Sequence, residues 1–207
     1  IGGSIVPTTL WKEKMINLTI VEALKKLNSG EITAVELTRA YLDRIEKYGT
    51  DLNCYITTTP ERALADAAAS DARRASGDAK FLDGAPIAMK DLFATRGIRT
   101  TAASRMLENF VSPYDATAVT KLTAAGAIPF GRTNMDEFAM GSTTESSYFG
   151  ITRNPFDLTK VPVHTAEEVR AVIMPVVNAT LERINSNVAT RNAFLKEHGD
   201  KEGPYLY

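Results

Sequence analysis

The sequence predicts an α/β fold, with a mostly parallel mixed sheet flanked by helices and then a C-terminal helical extension. Two apolar runs, at 85–89 and 127–130, are too short and too uniformly apolar for amphipathic helices and read as buried strands. An amphipathic stretch opened by Asp115 lies between them. Strand, helix and strand in that order imply a right-handed parallel crossover. At Pro162 the pattern changes to a long apolar stripe at helical spacing, which supplies the extension.

The elements follow in order. Residues 1–16 contain Gly2, Gly3 and Pro7, show no periodicity, and read as an N-terminal arm. Thr19 and Glu22 form a capping box before the stripe Ile20, Leu24, Leu27, and Gly30 ends this short helix. A second box, Thr33 with Glu36, opens a longer helix carrying Ala34, Leu37, Tyr41, Ile45 and Tyr48, stopped at Gly49. Residues 53–58 fit a strand. Thr59 as N-cap and Pro60 at the first helical position then open an Ala-rich helix to Ser76, whose Asp- and Arg-rich face reads as solvated surface. The strand at 85–89 leaves a Gly-Ala-Pro turn, and 95–109 reads as a long loop over the sheet edge. Asp115 caps the crossover helix, with Ala118, Val119, Leu122 and Ala125 facing inward and Gly126 ending it. Thr165 and Glu168 make a third capping box. The stripe from Val169 through Ile173, Val177, Leu181 and Ile184 to Val188 then forms helix that Pro175 kinks or divides. This helix is expected to fold back on the sheet or to dock on another protein. Three units result: an arm 1–16, a domain 17–162 and an extension 163–207.

Composition bounds the function. The 207 residues, 44% of them hydrophobic and 24% charged, are enough for a real core. With 24 basic and 25 acidic residues the net charge is −1, so no overall field recruits nucleic acid or anionic lipid, although a local basic patch stays open. Cys54 is the single cysteine, which excludes an intrachain disulfide and a cysteine-based zinc site. The two histidines, His164 and His198, supply a His-based metal site or a Ser-His-Asp triad poorly. Neither a metal nor a cofactor is expected. No run reaches the roughly 18 apolar residues of a membrane helix. The first residue is Ile1 rather than Met, which fits a removed leader and equally fits trimming. The compartment stays open between the mitochondrial matrix and the cytoplasm.

The crossover places the carboxyl ends of both strands on one edge, where loops converge and α/β folds bind ligands. Lys90 and Asp91 end the first strand, and the segment 132–147 follows the second. A lysine leaving a strand for solvent and pairing with Asp91 gives the same sequence. The segment 132–147, with Gly141 and Ser142 among hydroxyls and carboxylates, has the composition of a binding loop. A plain surface loop has that composition too.

Several runs in this part of the chain carry a resemblance: Gly84-Ala-Pro-Ile-Ala-Met-Lys-Asp, Gly97-Ile-Arg-Thr-Thr-Ala-Ala-Ser, Tyr114-Asp-Ala-Thr-Ala-Val and Gly131-Arg-Thr-Asn-Met-Asp-Glu-Phe-Ala-Met-Gly-Ser. With Phe149-Gly-Ile-Thr-Arg-Asn-Pro-Phe-Asp they closely resemble, in order, the motifs of the amidase-signature family. Within it the likeness is greatest to the A-subunit branch of tRNA-dependent amidotransferases, over about residues 17–162. The resemblance implies a partial amidase-signature fold. It also implies a catalytic set made of a serine nucleophile, a second serine in a cis peptide and a lysine that looks equivalent to Lys90. An amide carbonyl needs an activated hydroxyl, and a lysine acts as base only where burial favours its neutral amine. Backbone N–H groups of a Gly/Ser-rich loop would hold the oxyanion. Lys90 is then expected to be sheltered and paired with Asp91 or with loop hydroxyls, and Gly141 and Ser142 are candidate substrate-binding residues.

The sequence departs from that pattern after Val161-Pro162. Where the family carries the stretch that supplies both serines, this chain has Val163-His-Thr-Ala-Glu-Glu. Ser142, Ser146 and Ser147 belong to the earlier loop and do not match the catalytic serines. The resemblance therefore implies a vestigial base at Lys90 without its nucleophile, in a non-catalytic structural or binding subunit of a larger assembly. The alternative is part of an active amidotransferase or amide hydrolase, with the serine loop supplied by a missing segment or partner chain. The expected partners are other protein subunits, met through the C-terminal helix and an exposed sheet edge. Nucleic acid is reached only indirectly, within an amidotransferase or ribonucleoprotein complex.

Overall fold

A computed structural model of the chain describes residues 15–162, which fall within the first of two units, 1–163 and 164–207. The helical extension expected at 163–207, with its capping box, stripe and Pro175, lies outside the described residues, as does the expected arm up to Lys14. The core reaches back into the end of that arm, since Met15 is buried.

Two helices begin where the capping boxes place them. At the start of α1 (Ile20–Ser29) the Thr19 hydroxyl accepts the Glu22 N–H at 3.3 Å, and the Glu22 carboxylate accepts the Thr19 N–H at 2.8 Å. Thr33 and Glu36 repeat the exchange at 3.1 and 2.9 Å at the start of α2 (Ala34–Leu52). Gly49 does not stop α2. The helix continues to Leu52, and Asn53, left-handed at φ 49°, caps it by donating its N–H to the Gly49 carbonyl at 2.8 Å. A glycine inside a helix costs only about 1 kcal/mol relative to alanine, too little to end one whose cap lies a turn further on. The buried face of α1 is also turned from the expected stripe: Ala23 and Leu27 are buried, whereas Ile20 is exposed.

β1 (Tyr55–Thr58) leads into α3 (Pro60–Ser76), which has Pro60 in its first turn but takes no side-chain cap from Thr59. β2 (Pro86–Lys90), α4 (Thr117–Ala124) and β3 (Ile128–Thr133) form the crossover. The sheet is mixed, in the order β1-β3-β2. β2 and β3 are parallel, with Pro86 opposite Ile128 and Lys90 opposite Thr133. β1 lies antiparallel on the other side of β3, Thr58 opposite Gly131. α4 starts after Ala116 rather than at Asp115, because the Asp115 carboxylate accepts the Arg96 N–H at 2.8 Å instead of capping the helix. Its buried face is Val119; Ala118 is exposed.

The main core lies among α1, α2, α3 and β3. Leu27, Leu37, Ala40, Ala63, Ala67, Ile128 and Phe130 fill it, and Tyr41 stacks on Phe130 with ring centroids 5.9 Å apart. Small side chains at Ala63 and Ala67, one turn apart, let α3 approach β3 closely. No helix among the described residues is long and apolar enough to cross a membrane.

The charged face of α3 is not all solvated surface. Asp71 accepts the N–H groups of Ala34 and Val35 at 2.7 and 3.1 Å, an anion at the positive end of α2. Arg73 holds Asp83 through Nε at 3.0 Å and Nη2 at 2.6 Å, and Arg74 donates to the Asp83 carbonyl. Asp83 has no exposed surface. Gly126, at φ +93°, packs on it so closely that a Cβ there would stand 2.7 Å from the Asp83 Cα. These contacts fix the turn that launches β2 against the turn that launches β3.

Burial pushes the Asp83 carboxyl up, but hydrogen bonds from Arg73 and Lys80 and the Arg73 charge outweigh it and hold the group below its ordinary value. A carboxylate depressed in the fold stabilises it above the unfolded pKa, and that contribution is lost as pH falls through the folded value. Arg73→Met should therefore cost about 3 kcal/mol at neutral pH, and its deficit against the unsubstituted chain should narrow in acid. Urea unfolding of both chains over a range of pH measures the size and the slope.

Candidate functional site

The carboxyl ends of β2 and β3 meet as the crossover implies, and the Asp91 N–H donates to the Thr133 carbonyl at 3.2 Å. The neighbouring charges then part. Lys90 is exposed, like Ala88 two residues before it, while Met89 between them is buried. Lys90 has no ion pair or hydrogen-bonded side chain among the described residues. The sheltered, paired lysine expected from the sequence is thus not what the structure places here. The reason is the strand period: residues 88 and 90 share the face of β2 left open, and the carboxylate at 91 turns inward to another partner.

That partner is Thr101. Asp91 is fully buried; its Oδ2 accepts the Thr101 N–H at 2.9 Å and also the Thr101 hydroxyl, and its carbonyl accepts the Ala102 N–H at 3.0 Å. Burial raises the Asp91 carboxyl above its ordinary value, against the opposing pull of the Thr101 and Ala103 donors and the Arg132 charge. The turn it holds is strained. Ala102 and Ala103 sit at φ 50° and 56°, a left-handed region that costs a residue with a Cβ about 1–3 kcal/mol. Their carbonyls accept the N–H groups of Phe138 and Tyr148, both at 2.9 Å, which ties the 95–104 loop to the 136–148 loop. Phe138, Ala139 and Thr144 are also left-handed, at 52°, 62° and 63°. Five of the six such non-glycine residues among the described residues therefore lie in these two loops.

The second loop is organised around Asp136. Its Oδ2 accepts the N–H groups of Thr143 and Thr144 at 3.0 and 2.9 Å, and its Oδ1 accepts the N–H and hydroxyl of Ser146 at 3.2 and 2.9 Å. The Thr144 N–H and the Ser146 and Thr143 donors hold this carboxyl below its ordinary value. Gly141 is needed here for space, because a Cβ would stand 2.4 Å from the Asp136 Cγ. Ser142 is exposed and makes no hydrogen bond to another described residue. Ser147 donates to the Asn134 amide oxygen at 2.7 Å. The structure thus gathers Gly141 and Ser142 into the loop beside the strand ends, and it occupies Ser146 and Ser147 in holding that loop together. No cluster of three or more potential metal ligands exists among the described residues.

Asp91, Thr101 and Asp136 are the residues that organise this edge, and the sequence reading gave none of them that role. Asp136 carried a usable signal, since an Asp followed by a run of Gly, Ser and Thr is what a carboxylate-centred turn requires. Asp91 carried none, because a strand-end aspartate reads the same whether it turns in or out.

Comparisons with known proteins follow the same stretch. The family model described as Amidase matches residues 36–163. The A subunit of glutamyl-tRNA(Gln) amidotransferase from Geobacter sp. (strain M21) is 54% identical over 149 residues, 72% of this chain and 31% of that protein. Among solved structures, a chain from the vestigial protein complex linked to the origins of an s-triazine catabolic enzyme is 38% identical, with a TM-score of 0.66, over 70% of this chain and 32% of its own. The corresponding A subunit from Thermotoga maritima is 32% identical with a TM-score of 0.50, over 73% of this chain and 28% of its own. The chain spans roughly a third of the length of the relatives it matches.

The Asp136 arrangement makes a local prediction. Asp136→Ala releases the N–H groups of Thr143, Thr144 and Ser146 together, three bonds to one charged acceptor. Amide hydrogen exchange at those three positions should speed up at least about tenfold, with exchange in α2 and β3 unchanged.

Proposed function

The chain belongs to the amidase family, most like its glutamyl-tRNA amidotransferase A subunits, and on that footing we propose that it is a non-catalytic member, a structural or binding subunit of a larger assembly. The observation that carries this reading is Lys90, exposed and without a hydroxyl partner at the strand edge. A lysine base needs a desolvated amine within hydrogen-bond reach of a nucleophile. Here two of the three nearby loop serines are engaged elsewhere, Ser146 by Asp136 and Ser147 by Asn134, and Ser142 makes no hydrogen bond to Lys90. The sequence after Pro162 brings no serine-rich stretch in their place. Lys90 then marks a position where the base would have stood, and Gly141 and Ser142 keep the shape of a substrate loop. Protein partners fit a chain whose relatives are named as one subunit of an enzyme.

One observation favours a second reading. The face of β2 that carries Ala88 and Lys90 is open, so a serine-bearing segment from elsewhere could reach the lysine and restore amide hydrolysis or amidotransfer. Assay of the 207-residue chain separates the two. The expected outcome is no glutaminase, amidase or esterase turnover and no labelling by a serine-directed fluorophosphonate. Turnover by the chain alone that Lys90→Ala abolishes would overturn the proposal. Turnover that appears only with an added partner chain, and again needs Lys90, would establish the second reading.

A further inference from the structure

We propose that Asp91 and Arg132 are a buried ion pair bridged by one internal water, and that this bridged pair holds the loop at 95–104 on the sheet edge. Arg132 is 2% exposed and Asp91 has no exposed surface. Each keeps one buried polar atom without a hydrogen-bond partner, Nη1 on the guanidinium and Oδ1 on the carboxylate. Charged groups are the costliest to bury unmet, and no direct ion pair joins these two.

The strand register brings them together. Met89 lies opposite Arg132 and Lys90 opposite Thr133 in the parallel pairing, and the Asp91 N–H continues the ladder onto the Thr133 carbonyl. Residues opposite in register share a face of the sheet, and alternate residues along a strand return to it. Met89, Asp91 and Arg132 therefore stand on one face, and all three are buried, whereas Lys90 on the other face is exposed. Strand spacing and rise put the Cα atoms of Asp91 and Arg132 about 8 Å apart, a gap that the two side chains and one water can span. Burial dominates the titration of both, raising Asp91 and lowering Arg132, and each also responds to the charge of the other. Asp115 and Arg62 act on Arg132 as well, with opposite signs.

The two orphaned atoms define the ligand. It must accept from a guanidinium N–H and donate to a carboxylate oxygen. An anion would be repelled by Asp91 and a cation by Arg132, while a water does both and is held by as few as two polar partners. The donors of the adjoining turn are already committed: the Thr101 N–H and hydroxyl to Asp91 Oδ2, and the Ala103 N–H to the Thr101 hydroxyl at 3.1 Å. Through Thr101 the pair bears on the left-handed Ala102 and Ala103, whose carbonyls take the N–H groups of Phe138 and Tyr148. The charge of Arg132 is in this way coupled to both loops.

Two measurements on the 207-residue chain test the proposal. A high-resolution crystal structure should show an ordered water within hydrogen-bond distance of both Asp91 Oδ1 and Arg132 Nη1. A direct contact between the two side chains, or an Arg132 turned away from Asp91, would overturn it. The second measurement is a cycle of Asp91→Asn, Arg132→Met and both together, read by amide exchange at Phe138 and Tyr148. Each single substitution leaves the opposite charge buried alone and should speed exchange at least about tenfold. The double variant removes both charges and should exchange more slowly than either single one. Additive acceleration would overturn the coupling. If one single variant fails to fold, a double variant that folds supports the pair and one that does not counts against it; the water is decisive where no variant folds.

Discussion

The carboxylate of Asp91 is the contact on which the loop side of this domain depends. It sits at the first position after β2, wholly out of solvent, and the two donors of Thr101 offset only part of its cost of burial, since its Oδ1 has no partner. Those bonds bring the 95–104 loop back to the strand end. Holding it there forces Ala102 and Ala103 into left-handed backbone, and their outward-turned carbonyls then take the N–H groups of Phe138 and Tyr148. One buried acid thereby links the end of β2, the loop ten residues on and the more distant 136–148 loop. Strain of this kind persists only where the surroundings over-determine it, and here a hydrogen bond meets the strained turn on either side.

The helices were legible because their signals are local. A capping box needs two residues three apart, and both boxes among the described residues appear as drawn. The parallel pairing of β2 and β3 was legible because chain order and handedness leave little choice. What escaped the sequence was set by distant neighbours. The Asp- and Arg-rich face of α3 has the composition of solvated surface, yet Asp71 and Arg73 are spent on the start of α2 and on Asp83. Asp115 has the residue type of an N-cap, but the loop amide of Arg96 competes for it and wins. At the candidate site, Lys90 and the 132–147 loop were brought together as read, whereas the inward turn of Asp91, which leaves Lys90 alone, follows from Thr101, ten residues on.

Neither face of β2 takes part in the main core of the described residues: Met89 is buried outside it, and Ala88 and Lys90 are exposed. The main core draws on residues between Met15 and Ala67 and on Ile128 and Phe130. Helices that are neighbours in sequence close over one central strand, and the end of α2 is also tied to the later loops, where the Arg153 N–H donates to the Leu52 carbonyl at 2.9 Å. Lys90 and Ala88, on the open face, belong to no part of that cluster. A change in the catalytic complement on that side therefore leaves the helical core untouched. An amidase-family segment spanning roughly a third of its relatives' length accordingly has an interior of its own, apart from the strand edge that carries Lys90. The donors on Asp91 Oδ2 and on both oxygens of Asp136 all come from the segment itself, so these bonds keep that edge shaped whether or not a nucleophile ever reaches it.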